Sequence, residues 1–263
     1  MTDVWSLGGC RIEYKEENAA VALLWESHCH ASYEAIAVLE GDITLALEGS
    51  SYRLSAGECA LISPLAYHTV AANRQGLYRR VTAQIDASAV PLPLRERLGA
   101  GQGISVFPFA QAAALRDAYL SKDRAFYAPL AESVLVSLMY ASLESRAVGG
   151  AESTDGALRR ILSYIDRHLC EPIALADIAA DAALCASSVC HLFSEKMKIS
   201  PKRYIISKKL ALADKKITEG MPPTEAALFV GYEDYSNFYR AFRRAFGKSP
   251  SQQRPLEKTK TRN

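Results

Sequence analysis

The sequence predicts an α+β multidomain chain: a β-barrel or sandwich with helices following it, then an all-α domain holding two helix-turn-helix units. Three observations carry this. The first hundred residues break into short apolar or alternating segments punctuated by Gly, Ser and Pro. After the proline-rich "VPLPL" the apolar residues recur at three- and four-residue steps instead. The charge also reverses: residues 1–156 carry 12 Lys+Arg against 18 Asp+Glu, whereas residues 157–263 carry 19 against 11.

A basic half joined to an acidic one points to a module built for a polyanion. At 263 residues, with 49% hydrophobic and 23% charged, the chain is long enough for two cores and is not disordered. Cys10, Cys29, Cys59, Cys170, Cys185 and Cys190 lack the paired spacing of a zinc knuckle or a disulfide framework, so they read as reduced thiols. No basic stretch leads into an apolar one at the N-terminus, so no signal peptide is expected. The longest apolar-rich run, "VLVSLMYASL", is too short to cross a bilayer. The expected setting is cytoplasmic, with no membrane partner.

In chain order, the strand segments are "AVALLWESHCH", "EAIAVLEGDITLALEG" and "SSYRLSAGECALISP". The step "EGS" after "DITLAL" predicts a hairpin turn, and "SAGE" a second. Short strands at this spacing suit a β-sandwich or small barrel. Residues 111–146 then read as helix, most clearly in "LAESVLVSLMYASLESR". The run 130–143 serves either as a dimer helix or as a helix packed back on the barrel. The linker is "AVGGAESTDG", rich in small and polar residues, which sets domains at residues 1–148 and 156–256.

Beyond the linker everything reads as helix and turn. "IALADIAADAALCASSVCHLFSEKM" and "PPTEAALFVGYEDYSNFYRAFRRAFG" are built alike: a short Ala-faced helix, a tight turn, then a second helix with apolar residues at helical spacing. Gly231 stands where the turn needs φ > 0, and Asp234 is placed to cap the helix after it. At 100° per residue, Phe238, Phe242 and Phe246 share one face, leaving Ser236, Asn237, Arg240, Arg243 and Arg244 outside. In the first unit Val189, Leu192 and Phe193 turn inward, so Ser187, Cys190, His191 and Ser194 turn out. Asn and Arg suit bidentate contacts to adenine and guanine, and surplus arginines suit phosphates. The intervening "SPKRYIISKKLALADKKITEG" is a helical spacer that would hold two recognition helices on successive major-groove faces.

Residues 156–254 closely resemble the DNA-binding domain of the AraC/XylS transcription regulators. The resemblance rests on "LCASSVCHLF", on "SPKRYI" with "KKLALA", and above all on "VGYEDYSNFYRAFRRAFGKSPSQQR", which ends at Arg254. It implies base-reading positions at Ser187, Cys190, His191, Ser236, Asn237 and Arg240, with Tyr235 and Tyr239 as further candidates. Cys185 stands where Ser or Thr is usual, Lys198 where glycine is usual, and Lys209 where arginine is usual.

The N-terminal stretches "HCHASYEAIAVLEG" and "AGECALISPLAYH" resemble the two signatures of the cupin barrel, and His28, His30, Glu34 and His68 match its four ligand positions. Strand alternation points His28 and His30 into the barrel with Glu26. The set Glu26, His28, His30, Glu34 and His68 then forms a metal-free effector pocket, or His28, His30, Glu34 and His68 hold a divalent metal. The combined resemblance implies a non-enzymatic, DNA-binding transcription regulator, most often an activator. Its expected partners are double-stranded promoter DNA, a small-molecule effector such as a sugar, RNA polymerase and a second copy of the chain. The alternative is a metal-dependent cupin enzyme with a helical assembly domain.

Overall fold

The computed structural model describes residues 4–19, 27–73, 76–99, 103–145 and 156–252. Contacts divide the chain into two compact units: Met1–His28 with Ser32–Ser153, and Thr154–Asn263 with Cys29–Ala31. Glu26, Arg254 and linker residues 147–155 lie outside the described residues.

The first unit contains nine strands among its described residues: β1 (Trp5–Leu7), β2 (Cys10–Ala19), β3 (Tyr33–Glu40), β4 (Asp42–Leu47), β5 (Ser50–Ser55), β6 (Glu58–Ile62), β7 (His68–Ala72), β8 (Gly76–Ile85) and β9 (Ile104–Pro108). They form a six-stranded sheet, β1-β2-β8-β3-β6-β9, and a three-stranded sheet, β5-β4-β7. One core fills the sandwich, gathering Ile36 and Val38 of β3, Ile43 and Leu45 of β4, Ile62 and Val70. A second lies on the other face of the larger sheet, where Ala35 and Ala37 meet helices α2 (Ala112–Leu120) and α3 (Arg124–Glu144) through Leu115, Leu135 and Leu138. β3 is therefore buried on both faces, which is why its stretch 35–39 is continuously apolar, whereas β4, with one face inward, alternates.

The "EGS" turn is as expected: Glu48 (φ 47°) and Gly49 (φ 83°) join Leu47 to Ser50, the two left-handed residues of a type I′ hairpin. "SAGE" is a turn too, with Gly57 at φ 88°, but not a hairpin. β5 pairs with β4 in the small sheet, and β6 pairs with β3 and β9 in the large one, so the chain changes sheets at this corner. The sequence reading also ended the strands too early. Helix α1 (Leu92–Gly99) begins within the proline-rich stretch, but strand β9, which pairs with β6, follows it.

At 21 residues α3 has the length and composition of a bilayer span, yet Ala131, Val134, Leu135, Leu138 and Met139 are buried in the outer core. Its other side leaves Phe126, Leu130, Val136 and Tyr140 exposed. One face is packed back on the sheet and the other is bare.

The second unit comprises α4 (Gly156–Arg167), α5 (Leu175–Asp181), α6 (Ala186–Met197), α7 (Pro201–Thr218), α8 (Pro223–Phe229) and α9 (Tyr235–Phe246). α5 and α6 are bent 88° from each other. Their turn passes through Ala183 at φ 55°, and the corresponding turn between α8 and α9 through Gly231 at φ 76°. In the first helix-turn-helix, Ile178, Val189 and Phe193 are buried, and the Phe193 ring meets Tyr204 of α7 edge-on at 5.1 Å. In the second, Ala226, Ala227, Val230, Phe238 and Phe242 pack on Leu210, Ala213 and Ile217 of the same helix. α7 is the common wall of both units.

Candidate DNA interface and ligand pocket

The expected recognition helices are α6 and α9, and a constant step of 49 residues relates them: Val189 corresponds to Phe238, Phe193 to Phe242 and His191 to Arg240. Buried residues fall where rotation put them, at Val189 and Phe193, then Phe238 and Phe242. Leu192 is only half-buried. Ser187, His191, Ser194, Ser236, Asn237, Arg240, Arg243 and Arg244 are exposed, while Cys190 is half-buried. Ser188, which matches Asn237 under the same step, is exposed as well; sequence reasoning passed over it although the step that paired His191 with Arg240 would have found it.

The two faces differ in charge. On α9 the Arg240 guanidinium donates to Asn237 Oδ1 at 2.7 Å, which joins the two side chains best suited to read bases. Arg243 and Arg244 occupy the last turn, where the helix dipole favours cations. On α6 His191 faces the Glu195 carboxylate at 3.8 Å, whereas Arg240 faces a neutral amide.

The N-caps also differ. Asp234 caps α9 as expected, Oδ1 accepting from the Ser236 amide at 2.7 Å. Cys185 begins α6 with no side-chain cap bond; its sulfur lies 3.1 Å from Ser187 Oγ and 3.0 Å from Ser188 Oγ. Those hydroxyls, then the Ser188 amide, lower the thiol from 9.0 to about 7.

In the first unit a cavity of about 380 Å³ is lined by residues of both sheets. β2 contributes Arg11, Glu13 and Lys15, β8 contributes Arg80, Thr82 and Gln84, and His28, Glu34 and His68 complete the polar lining. The register sets Lys15 opposite Arg80, Glu13 opposite Thr82 and Arg11 opposite Gln84. These six residues were missed in the sequence. Their signal was there, since "RIEYKEE" and "YRRVTAQI" place polar residues at every second position, the period that sends them all to one face.

His68 is the pocket's anchor, 1% exposed. Its Nδ1 is 2.9 Å from the Ala66 carbonyl and its Nε2 is 2.8 Å from Glu34 Oε2, so both ring nitrogens face acceptors. Burial alone would pull its pKa down; the hydrogen bond and charge of Glu34, aided by the Ala66 carbonyl, overcome this and raise it. His28 exchanges backbone hydrogen bonds with His68 at 3.0 Å in each direction, and the two rings stand 4.5 Å apart. The donor atoms of His28, His30, Glu34 and His68 all lie within 4.8 Å of one another.

Three imidazoles and one carboxylate fit a divalent transition metal by donor type. A metal here would be held by these four side chains and would displace the contact between Glu34 and His68, because both atoms of that bond are would-be ligands.

A profile of the helix-turn-helix domain family matches residues 178–255, and a cupin domain profile matches residues 22–77. Residues 178–255, from α5 through α9, thus carry a helix-turn-helix domain. The N-terminal half carries a cupin domain, in the two-sheet form described above. The probable transcriptional regulator LumQ of Photobacterium leiognathi is 37% identical over 90 residues, which is 34% of this chain and 36% of LumQ. The HTH-type transcriptional activator RhaS of Escherichia fergusonii is 26% identical over 120 residues, 45% of this chain and 43% of RhaS. The chain thus spans about two-fifths of these curated relatives. Among solved structures, ToxT from Vibrio cholerae is similar over 92% of this chain and 97% of its own, at 11% identity and a TM-score of 0.44.

Proposed function

We propose that the chain is a sequence-specific DNA-binding transcription regulator whose N-terminal pocket takes a small-molecule effector. The observation that carries this is the outward face of α9, where Ser236, Asn237, Arg240, Arg243 and Arg244 stand exposed over the buried Phe238 and Phe242. Asn237 and Arg240 read base edges in the major groove, and Arg243 and Arg244 neutralise phosphates. Ser187, Cys190 and His191 give α6 a second, weaker reading head. Regulator names among the relatives support the same assignment.

The effector site is the pocket around His28, His30, Glu34 and His68. Convergent imidazoles, carboxylates and cations suit a polar ligand, a sugar among them, through hydrogen bonds to its hydroxyls. Binding there alters DNA engagement by the difference in effector affinity between two arrangements of the chain. Residues 1–148 form this effector domain and residues 156–256 the DNA-binding domain. The exposed apolar side chains Phe126, Leu130 and Tyr140 on α3 support a homodimer. The protein acts in the cytoplasm on promoter DNA, as an activator that contacts RNA polymerase.

A second reading, a metal-dependent cupin enzyme, is favoured by the four-donor cluster alone. Selection from a random duplex library decides between them. The regulator reading expects enrichment of paired half-sites whose affinity falls with salt, about 0.9 in log–log slope per phosphate contact. No enrichment rejects it. A stoichiometric divalent ion lost on His30→Ala would move the pocket to the second reading.

A further inference from the structure

The two helix-turn-helix units meet at a junction made of three parts. Lys209, midway along α7, is 7% exposed. Its ammonium donates to the carbonyl of Glu171 at 2.7 Å, in the segment entering α5, and to the carbonyl of Val230 at 2.8 Å, the C-cap of α8. The third part is Gly231. A Cβ there would lie 2.9 Å from Lys209 Nζ and 3.2 Å from the Cys170 carbonyl oxygen, so the turn of the second unit presses on the backbone ahead of the first. Its left-handed φ and this close approach both require glycine. Burial pulls the Lys209 pKa below its ordinary value, a cost of enclosing the ammonium that its two carbonyl bonds offset.

The placement of this junction matters because the recognition helices hang from different stretches of α7. Phe193 of α6 meets Tyr204 near its start, whereas Phe238 and Phe242 of α9 pack on Leu210, Ala213 and Ile217 nearer its end. Lys209 lies between the two stretches and bonds backbone from both units. The neighbouring Lys208 bonds Asp166 at 2.6 Å, fastening the same point of α7 to α4, the helix that precedes the first helix-turn-helix.

We propose that Lys209 is the positioning residue that sets the separation of α6 and α9, and with it the half-site spacing the chain accepts on DNA. The proposal rests on the DNA-binding reading above. Without the ammonium, the buried Val230 carbonyl and the part-buried Glu171 carbonyl lose this donor, and the helices keep their separate attachments to α7. The chain should then bind a single half-site as before but tolerate spacings it normally rejects.

The test uses the full chain, Lys209→Met and Lys209→Arg on duplexes carrying the selected half-sites. One set has the native separation, one has a single base pair inserted (about 3.4 Å of rise), and one carries a single half-site. The wild type should lose about tenfold or more in affinity on insertion, and Lys209→Met less than about threefold, with single half-site affinity within about twofold of wild type. Lys209→Arg, which keeps charge and donors, should restore the tenfold discrimination. If Lys209→Met does not fold, Lys209→Gln, which can still donate to one carbonyl, takes its place under the same thresholds. A folded variant that discriminates like wild type overturns the proposal, and so does one that weakens equally on every duplex, single half-sites included. Failure of the underlying DNA reading is visible separately, because the wild type would then select no paired half-sites.

Discussion

Replacing Arg240 with alanine separates base reading from charge. Arg240 is exposed and its guanidinium is oriented by a 2.7 Å bond to Asn237 Oδ1. No buried group is lost with it, so the thermal stability of Arg240→Ala should stay within about 0.5 kcal/mol of the parent. A bidentate contact to guanine contributes about 1–3 kcal/mol of discrimination, roughly 5- to 150-fold at 1.36 kcal/mol per tenfold. That loss should fall on one base position and leave duplexes already mismatched there almost unchanged. Arg244→Ala makes the contrast: it removes one phosphate contact, which should weaken all sequences alike and flatten the salt slope by about 0.9. Fluorescence anisotropy on the selected duplex and its single-base variants, between 50 and 200 mM salt (about the range over which such slopes are read), measures both. Equal weakening of every duplex by Arg240→Ala, or a changed base preference with Arg244→Ala, would refute the division of labour.

Three further outcomes follow from particular contacts. Cys185, lowered to about 7 by Ser187 and Ser188, should reach half its maximal alkylation rate near pH 7, with the reactive thiolate lost as pH falls below that value. A midpoint near 9, read by mass spectrometry of the Cys185 peptide, would contradict it, and Cys10, pushed up to about 12 by burial and the charges of Asp86 and Glu132, should stay unlabelled throughout. Lys198 caps α6 at φ 55°, where Gly247 caps α9 at φ 69°. Lys198→Gly should therefore stabilise by about 0.5–1 kcal/mol, or roughly 1–4 °C in melting temperature, and a lower melting temperature would show that the lysine gains something else. Glu34→Ala strands the buried His68 and should destabilise by about 3 kcal/mol, most of it recovered in Glu34→Gln; a neutral result in urea unfolding would mean that the pair is replaceable.

The helical half was the more legible because its signals are local. A 3.6-residue period, Asp234 before α9 and Gly231 in the turn each act within one turn of chain, and all are found in place. The first unit hid more. The corner at Gly57 looks like a hairpin from within, because nothing local says that β5 and β6 belong to different sheets. β9 is five residues long and gains its identity only by pairing with β6. The His28, His30, Glu34 and His68 cluster was legible through the cupin resemblance of its two stretches, but its partners come from β2 and β8, far apart in the chain, and only the register joins them. The Lys209 junction was read only as a departure from arginine, since its acceptors are backbone carbonyls that carry no residue signature.

Hydroxyl-radical footprinting of the full chain on its selected duplex tests the central claim most directly. Two similarly built helices, fastened to one rigid α7, should protect two stretches on the same side of the double helix, one turn or about 34–36 Å apart. Protection of a single stretch, or an even pattern along the duplex, would contradict the account.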